Sequence, residues 1–82
     1  NMQWMDAFNI TRNEWIAAQQ HGEYYSIYRV YFIRNEILIY KIDNIYEKIK
    51  EKRIEIVPLT YRINFGIDVV DQIMEKELKN NA

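Results

Sequence analysis

The chain has 82 residues, enough for one domain at most, and a domain of that size buries only about 60–65% of its unfolded surface. Hydrophobic residues make up 49% and aromatic residues 15%, more apolar material than so small an interior holds, which points to cover from a partner or from a larger domain. A net charge of −1 from 11 basic and 12 acidic residues excludes bulk attraction to nucleic acid or anionic lipid, the lack of cysteine argues for a cytoplasmic rather than a secreted chain, and the short apolar runs Val30 to Ile33 and Ile37 to Tyr40 are far below a membrane span.

Residues 1–10 carry Trp4, Met5, Phe8 and Ile10, which suits an entering strand or extended arm. Thr11-Arg12-Asn13-Glu14 reads as a capping box: the Thr11 hydroxyl accepts from the Glu14 amide, and the Glu14 carboxylate reaches back to the Thr11 amide. Ile10 and Trp15 flank it as a hydrophobic staple. The helix so opened runs through Ile16, Ala17 and Ala18 and stops at His21-Gly22, where glycine accepts the backbone turn past a helix end. Tyr24 to Ile33 is rich in strand-forming residues with apolar side chains on both faces, and reads as an inner strand. Arg34-Asn35-Glu36 is a polar turn, and Ile37 to Ile42 returns as the second arm of an antiparallel hairpin.

Asp43-Asn44 offers a second cap, with Glu47 three residues past Asn44. Ile45, Tyr46 and Ile49 form the apolar stripe of a short helix whose other face is charged. From Ile54 to Phe65 apolar residues alternate strictly between Val57 and Phe65, the period of a half-exposed strand. Pro58 cannot donate to a ladder, so it marks an edge or a break. After Gly66, Asp68 caps a final helix carrying Val69, Val70, Ile73, Met74 and Leu78 on one side. Asp71 near its start and Lys76 and Lys79 near its end complement the helix dipole. The expected class is α+β: a small, mainly antiparallel sheet with about three helices, in the order α-β-β-α-β-α.

Catalytic chemistry is hard to find. His21 stands alone without cysteine, so no zinc site of the usual composition is available, and there is neither a nucleophile elbow nor a glycine-rich phosphate loop. Magnesium nucleases of the PD-(D/E)XK type use an Asp and a Glu-x-Lys on adjacent strands. The one Glu-x-Lys is Glu77-Leu78-Lys79, in the final helical window, where residues two apart diverge. Glu55 lies on a strand, but Val57 occupies the lysine position. No residue is assigned as catalytic or as a metal ligand. Lys48, Lys50, Lys52 and Arg53 form the densest basic cluster; with Arg12 and Asn13 they are the candidate nucleic-acid contacts. Glu47, Glu51 and Glu55 interleave with the cluster, so pairing within the helix is the competing explanation. The tyrosines fall in expected strands or helices, where core packing accounts for them better than base stacking.

Phe8-Asn9-Ile10-Thr11-Arg12-Asn13-Glu14-Trp15, then Ala18, Gly22, Tyr25 and Ile27-Tyr28-Arg29-Val30-Tyr31, resembles the C-terminal domain of the plant NO VEIN protein and its bacterial relatives. The resemblance covers about residues 8–33. It implies a PD-(D/E)XK nuclease-like fold, of which this chain would be the C-terminal part, and association with restriction, helicase or defence proteins. In that family the Glu-x-Lys strand comes shortly before the block. Here the ten residues before Thr11 hold one carboxylate, Asp6, and no lysine. Of the matching residues, Thr11 and Glu14 have a structural role as caps and Trp15 as the staple, while Asn13 is left without one.

The chain, residues 1–82, is accordingly expected to be a single domain or the C-terminal fragment of a larger nuclease-like one. Its expected function is that of a non-catalytic portion of a NO VEIN-type domain linked to DNA restriction or defence, inactive alone. The alternative is a small interaction or dimerisation module without enzymatic activity. No cofactor is expected in this chain, with magnesium only if an upstream part supplies a nuclease site. Expected partners are a second copy or another protein, and DNA through the parent protein, but no membrane.

Overall fold

In the computed structural model, which describes residues 4–77, the first helix begins where the capping box places it. Helix α1 spans Arg12–His21. The Glu14 amide donates to Thr11 Oγ1 at 3.1 Å and the Thr11 amide to Glu14 Oε1 at 2.8 Å. Both flanking apolar residues, Ile10 and Trp15, join the core. The helix ends at Gly22, whose φ of 48° and ψ of −114° lie in backbone space that side chains resist. Thr11→Ala should cost about 1 kcal/mol, the usual loss for a removed cap, read as a lower urea midpoint at unchanged slope.

The remaining elements are β1 (Asp6–Asn9), β2 (Ser26–Ile33), β3 (Glu36–Asp43), α2 (Ile45–Lys50), β4 (Glu55–Val57), β5 (Arg62–Phe65) and β6 (Gln72–Glu77), with 3-10 turns at Gly22–Tyr24 and Ile67–Val69. They form two antiparallel three-stranded sheets, β1-β5-β4 and β2-β3-β6. The class is α+β as expected, but with two α-helices and two sheets. The hairpin β2-β3 closes on the two-residue turn Arg34-Asn35, in register Ile33↔Glu36. Arg34 takes a positive φ of 56°, as a tight hairpin turn demands. Helix α2 is capped by Asn44, which accepts from the Glu47 amide.

Three expectations need correcting. The final helix does not form: beyond the turn at Ile67–Val69 the chain runs as strand β6. Its short, sparsely apolar stripe gives a helix little stability of its own, whereas the free edge of β3 offers hydrogen bonds along Glu36↔Glu77 to Lys41↔Gln72. Leu78 and Lys79, assigned to that helix, lie outside the described residues. The stretch Ile54 to Phe65 is a hairpin rather than one strand. It breaks immediately after Val57, at Pro58, and β5 begins at Arg62. Finally, β2 is an edge strand and β3 the central one. The apolar residues on both faces of β2 suggested burial, yet Tyr28, Val30, Phe32 and Ile33 are exposed.

The core consists of Ile10, Ala18, Ile42, Ile45, Ile54, Ile63, Phe65 and Val69. It lies between the sheet β1-β5-β4, the two helices and the Ile42 end of β3. The hairpin end of β2-β3-β6 extends away from it. The radius of gyration is accordingly 14.1 Å, against about 12 Å for a compact chain of this length.

Candidate functional site

Strands β1 and β2 bring three polar residues together between the two sheets. Asp6 opens β1 and is placed by its register with Phe65 and by the Met5 amide donating to the Phe65 carbonyl at 2.7 Å. Arg29 and Tyr31 lie two apart on β2, hence on the same face. The Tyr31 hydroxyl donates to Asp6 Oδ2 at 2.5 Å and Arg29 Nη2 to the same oxygen at 3.4 Å. The Ala7 amide donates to Asp6 Oδ1 at 2.8 Å. The Arg29 guanidinium stacks 4.7 Å from the Phe8 ring centroid. Its Nε is buried without a hydrogen-bond partner among the described residues. Tyr31 meets Tyr40 edge to face at 5.1 Å, and an open cleft of about 320 Å³ lies beside them, lined by Met5, Asp6, Tyr31, Ile33, Leu38 and Tyr40.

The electrostatics follow from these contacts. Burial pushes the Asp6 carboxyl up, but the hydrogen bonds from Tyr31 and Ala7 and the Arg29 charge outweigh it, so the pKa is lowered. Tyr31 is pushed up to about 12, by burial first and then by its hydrogen bond to Asp6 and the Asp6 charge. At neutral pH the cluster is therefore a carboxylate, a guanidinium and a phenol. Both Asp6 oxygens are engaged, so the carboxylate works as a joint between the sheets. Asp6 stood out in the sequence only as the lone carboxylate before Thr11. Its partners lie 23 and 25 residues further on, a pairing that no local pattern announces.

The candidate nucleic-acid contacts are arranged differently from a basic face. Arg12 and Asn13 are exposed on the first turn of α1. Lys48 is buried at 7% exposure; its Nζ donates to the Asp43 carbonyl and to Asp71. Lys50 pairs with Glu47 at 3.2 Å. Arg53 pairs with Glu51 at 3.6 Å and donates to the Asp68 carbonyl at 3.1 Å. Lys52 is exposed in the turn after α2, with φ of 61°. Three of the four cations at 48–53 are thus committed to acidic or carbonyl neighbours.

Glu55 is exposed on β4 and accepts from Asn64 Nδ2 at 2.7 Å. Glu77 ends strand β6 rather than lying in a helix, and Lys79 lies outside the described residues. Among the described residues no group of three or more His, Cys, Asp or Glu side chains could hold a metal ion, and no helix is long and apolar enough to cross a membrane.

No curated protein and no solved structure matches the chain, but the family model described as "Protein NO VEIN, C-terminal" matches residues 2–42. The matched half of the chain contains β1, α1, β2 and all but the last residue of β3. It therefore holds the capping box and all three members of the Asp6–Arg29–Tyr31 cluster. With half of its length matched and the motif residues performing the folding roles described, the chain belongs to the NO VEIN C-terminal family.

Proposed function

We propose that this chain is the non-catalytic C-terminal portion of a nuclease-like domain that serves DNA restriction or defence. The observation that supports this reading is the state of Asp6. It is the one carboxylate in the matched segment ahead of α1, and its oxygens are taken by Ala7, Tyr31 and Arg29. A nuclease metal ligand needs free lone pairs directed at the ion. Among the described residues no group of three or more His, Cys, Asp or Glu side chains gathers around such a point, and in this reading any magnesium is held elsewhere in the parent domain. The purified chain is expected to leave DNA and RNA intact with magnesium or manganese. Metal-dependent cleavage that disappears in Asp6→Asn, Glu55→Gln or Glu77→Gln would overturn the assignment.

A second reading, a protein-interaction module, is favoured by a separate observation. Tyr28, Val30 and Phe32 share one face of β2 and are 53%, 45% and 73% exposed. In register beside them stand Lys41, Ile39 and Ile37 of β3, followed by Gln72, Met74 and Lys76 of β6. Three exposed apolar side chains in a row, continued by the half-buried Ile37, Ile39 and Met74, are the kind of surface that suits a partner.

A further inference from the structure

We propose that two copies of the chain join edge to edge through β2, pairing antiparallel about Val30 to make one continuous six-stranded sheet. The proposal rests on the interaction-module reading and names its partner.

The backbone sets the edge. In a hairpin with a two-residue turn, the closing pair exchanges both hydrogen bonds. Ile33, Tyr31, Arg29 and Ile27 therefore direct their amides and carbonyls at β3. Two neighbouring bonds agree with that phase. The Asn44 amide donates to the Tyr25 carbonyl at 3.0 Å, on the β2 side of β3, and the Asp71 amide donates to the Lys41 carbonyl at 2.8 Å, on the β6 side. The alternate residues Tyr28, Val30 and Phe32 consequently turn their N–H and C=O groups outward. Among the described residues no backbone or side-chain group bonds to them.

Proteins protect such edges with short strands, proline or charge, and the other edges here are protected. Strand β4 has three residues and runs into Pro58, β1 has four, and β6 carries Glu75, Lys76 and Glu77. Strand β2 has eight residues with no lysine and no proline, and its one arginine is held by Asp6. This edge is the unprotected one.

The sequence of β2 is complementary to itself. A two-fold axis at Val30 sets Val30 opposite Val30 of the second copy, Tyr28 opposite Phe32, and Ile27 opposite Ile33. Aromatic and β-branched pairs of this kind are the favourable cross-strand pairs, and no like charges meet along the seam. The pairing satisfies the outward amides and places the exposed aromatic rings of the two copies against each other. Such an isologous contact is the usual geometry of a symmetric dimer.

Sedimentation at micromolar concentration, together with amide hydrogen exchange, tests this. The expected result is a species of twice the 10.1 kDa chain mass, with the Tyr28, Val30 and Phe32 amides protected. Val30→Pro removes an outward N–H and no bond to β3, so it should give a monomer in which Tyr28 and Phe32 exchange fast. Val30→Lys, which keeps the amide but sets like charges together, should do the same if circular dichroism shows a retained fold, and it replaces the proline variant should that fail to fold. A dimer that survives both substitutions, or leaves those amides unprotected, overturns the edge pairing while the interaction-module reading stands. A wild-type monomer with fast-exchanging amides overturns the self-pairing and leaves the interaction-module reading only a different partner.

Discussion

Phe65→Ala is expected to cost about 3–5 kcal/mol, the range for deleting a fully buried aromatic ring. A chain of this length has a total stability of only about 4–12 kcal/mol, so the variant should lose at least a quarter of it, and nearly all of it at the low end of that range. Phe65 is 0% exposed and lies on β5, the central strand of its sheet. Its ring meets Phe8 edge to face at 5.6 Å, and Phe8 in turn carries the Arg29 guanidinium on its face. Its backbone accepts from Met5 beside Asp6. The ring therefore supports both the core and the polar joint between the sheets. Phe65→Leu, which keeps most of the volume, should recover much of the loss. Urea melts of the two variants measure this, and a loss below about 1 kcal/mol for the alanine would show that the core closes without the ring.

Lys48→Ala should cost about 2–3 kcal/mol, below the 3–5 kcal/mol for breaking a fully buried pair. The discount follows from Asp71, whose side chain is 38% exposed and is rehydrated when its partner is gone. The Asp43 carbonyl loses its donor at 2.6 Å, and the core loses the buried aliphatic stem. Lys48→Met restores the stem alone and should fall between wild type and alanine. The same contact has a pH signature. Burial acts to raise the Asp71 pKa, but hydrogen bonds from Lys48 and the Asp43 amide, with the Lys48 and Arg53 charges, bring it below the ordinary value of 3.8. A lowered folded-state pKa contributes stability that is present above the unfolded value and lost as pH falls through the folded one. Asp6 is lowered as well, so stability should hold at neutral pH and drop below about pH 4. Asp71→Asn should flatten that decline. An equally steep acid limb in the variant would show that Asp71 is not its source.

What the sequence determined by itself is whatever near neighbours decide. The box Thr11-Arg12-Asn13-Glu14 closes within one helical turn, Asn44 caps α2 from an adjacent position, Arg34-Asn35 turns the hairpin, and Pro58 stops a ladder because it has no N–H to give. The order and spacing of the block around Thr11 and Tyr31 also carried the family. The tertiary structure alone decided what depends on residues far along the chain. Residues 72–77 became a strand because β3 presented an open edge, and that edge outweighs a weak helical stripe. Arg29 and Tyr31 reached Asp6 only once β1 paired with β5 on the other side of the core. Lys48, by pattern one of a solvated basic run, became buried because Asp71 and the Asp43 carbonyl closed over its ammonium, and a charge accepts burial only where such partners are waiting.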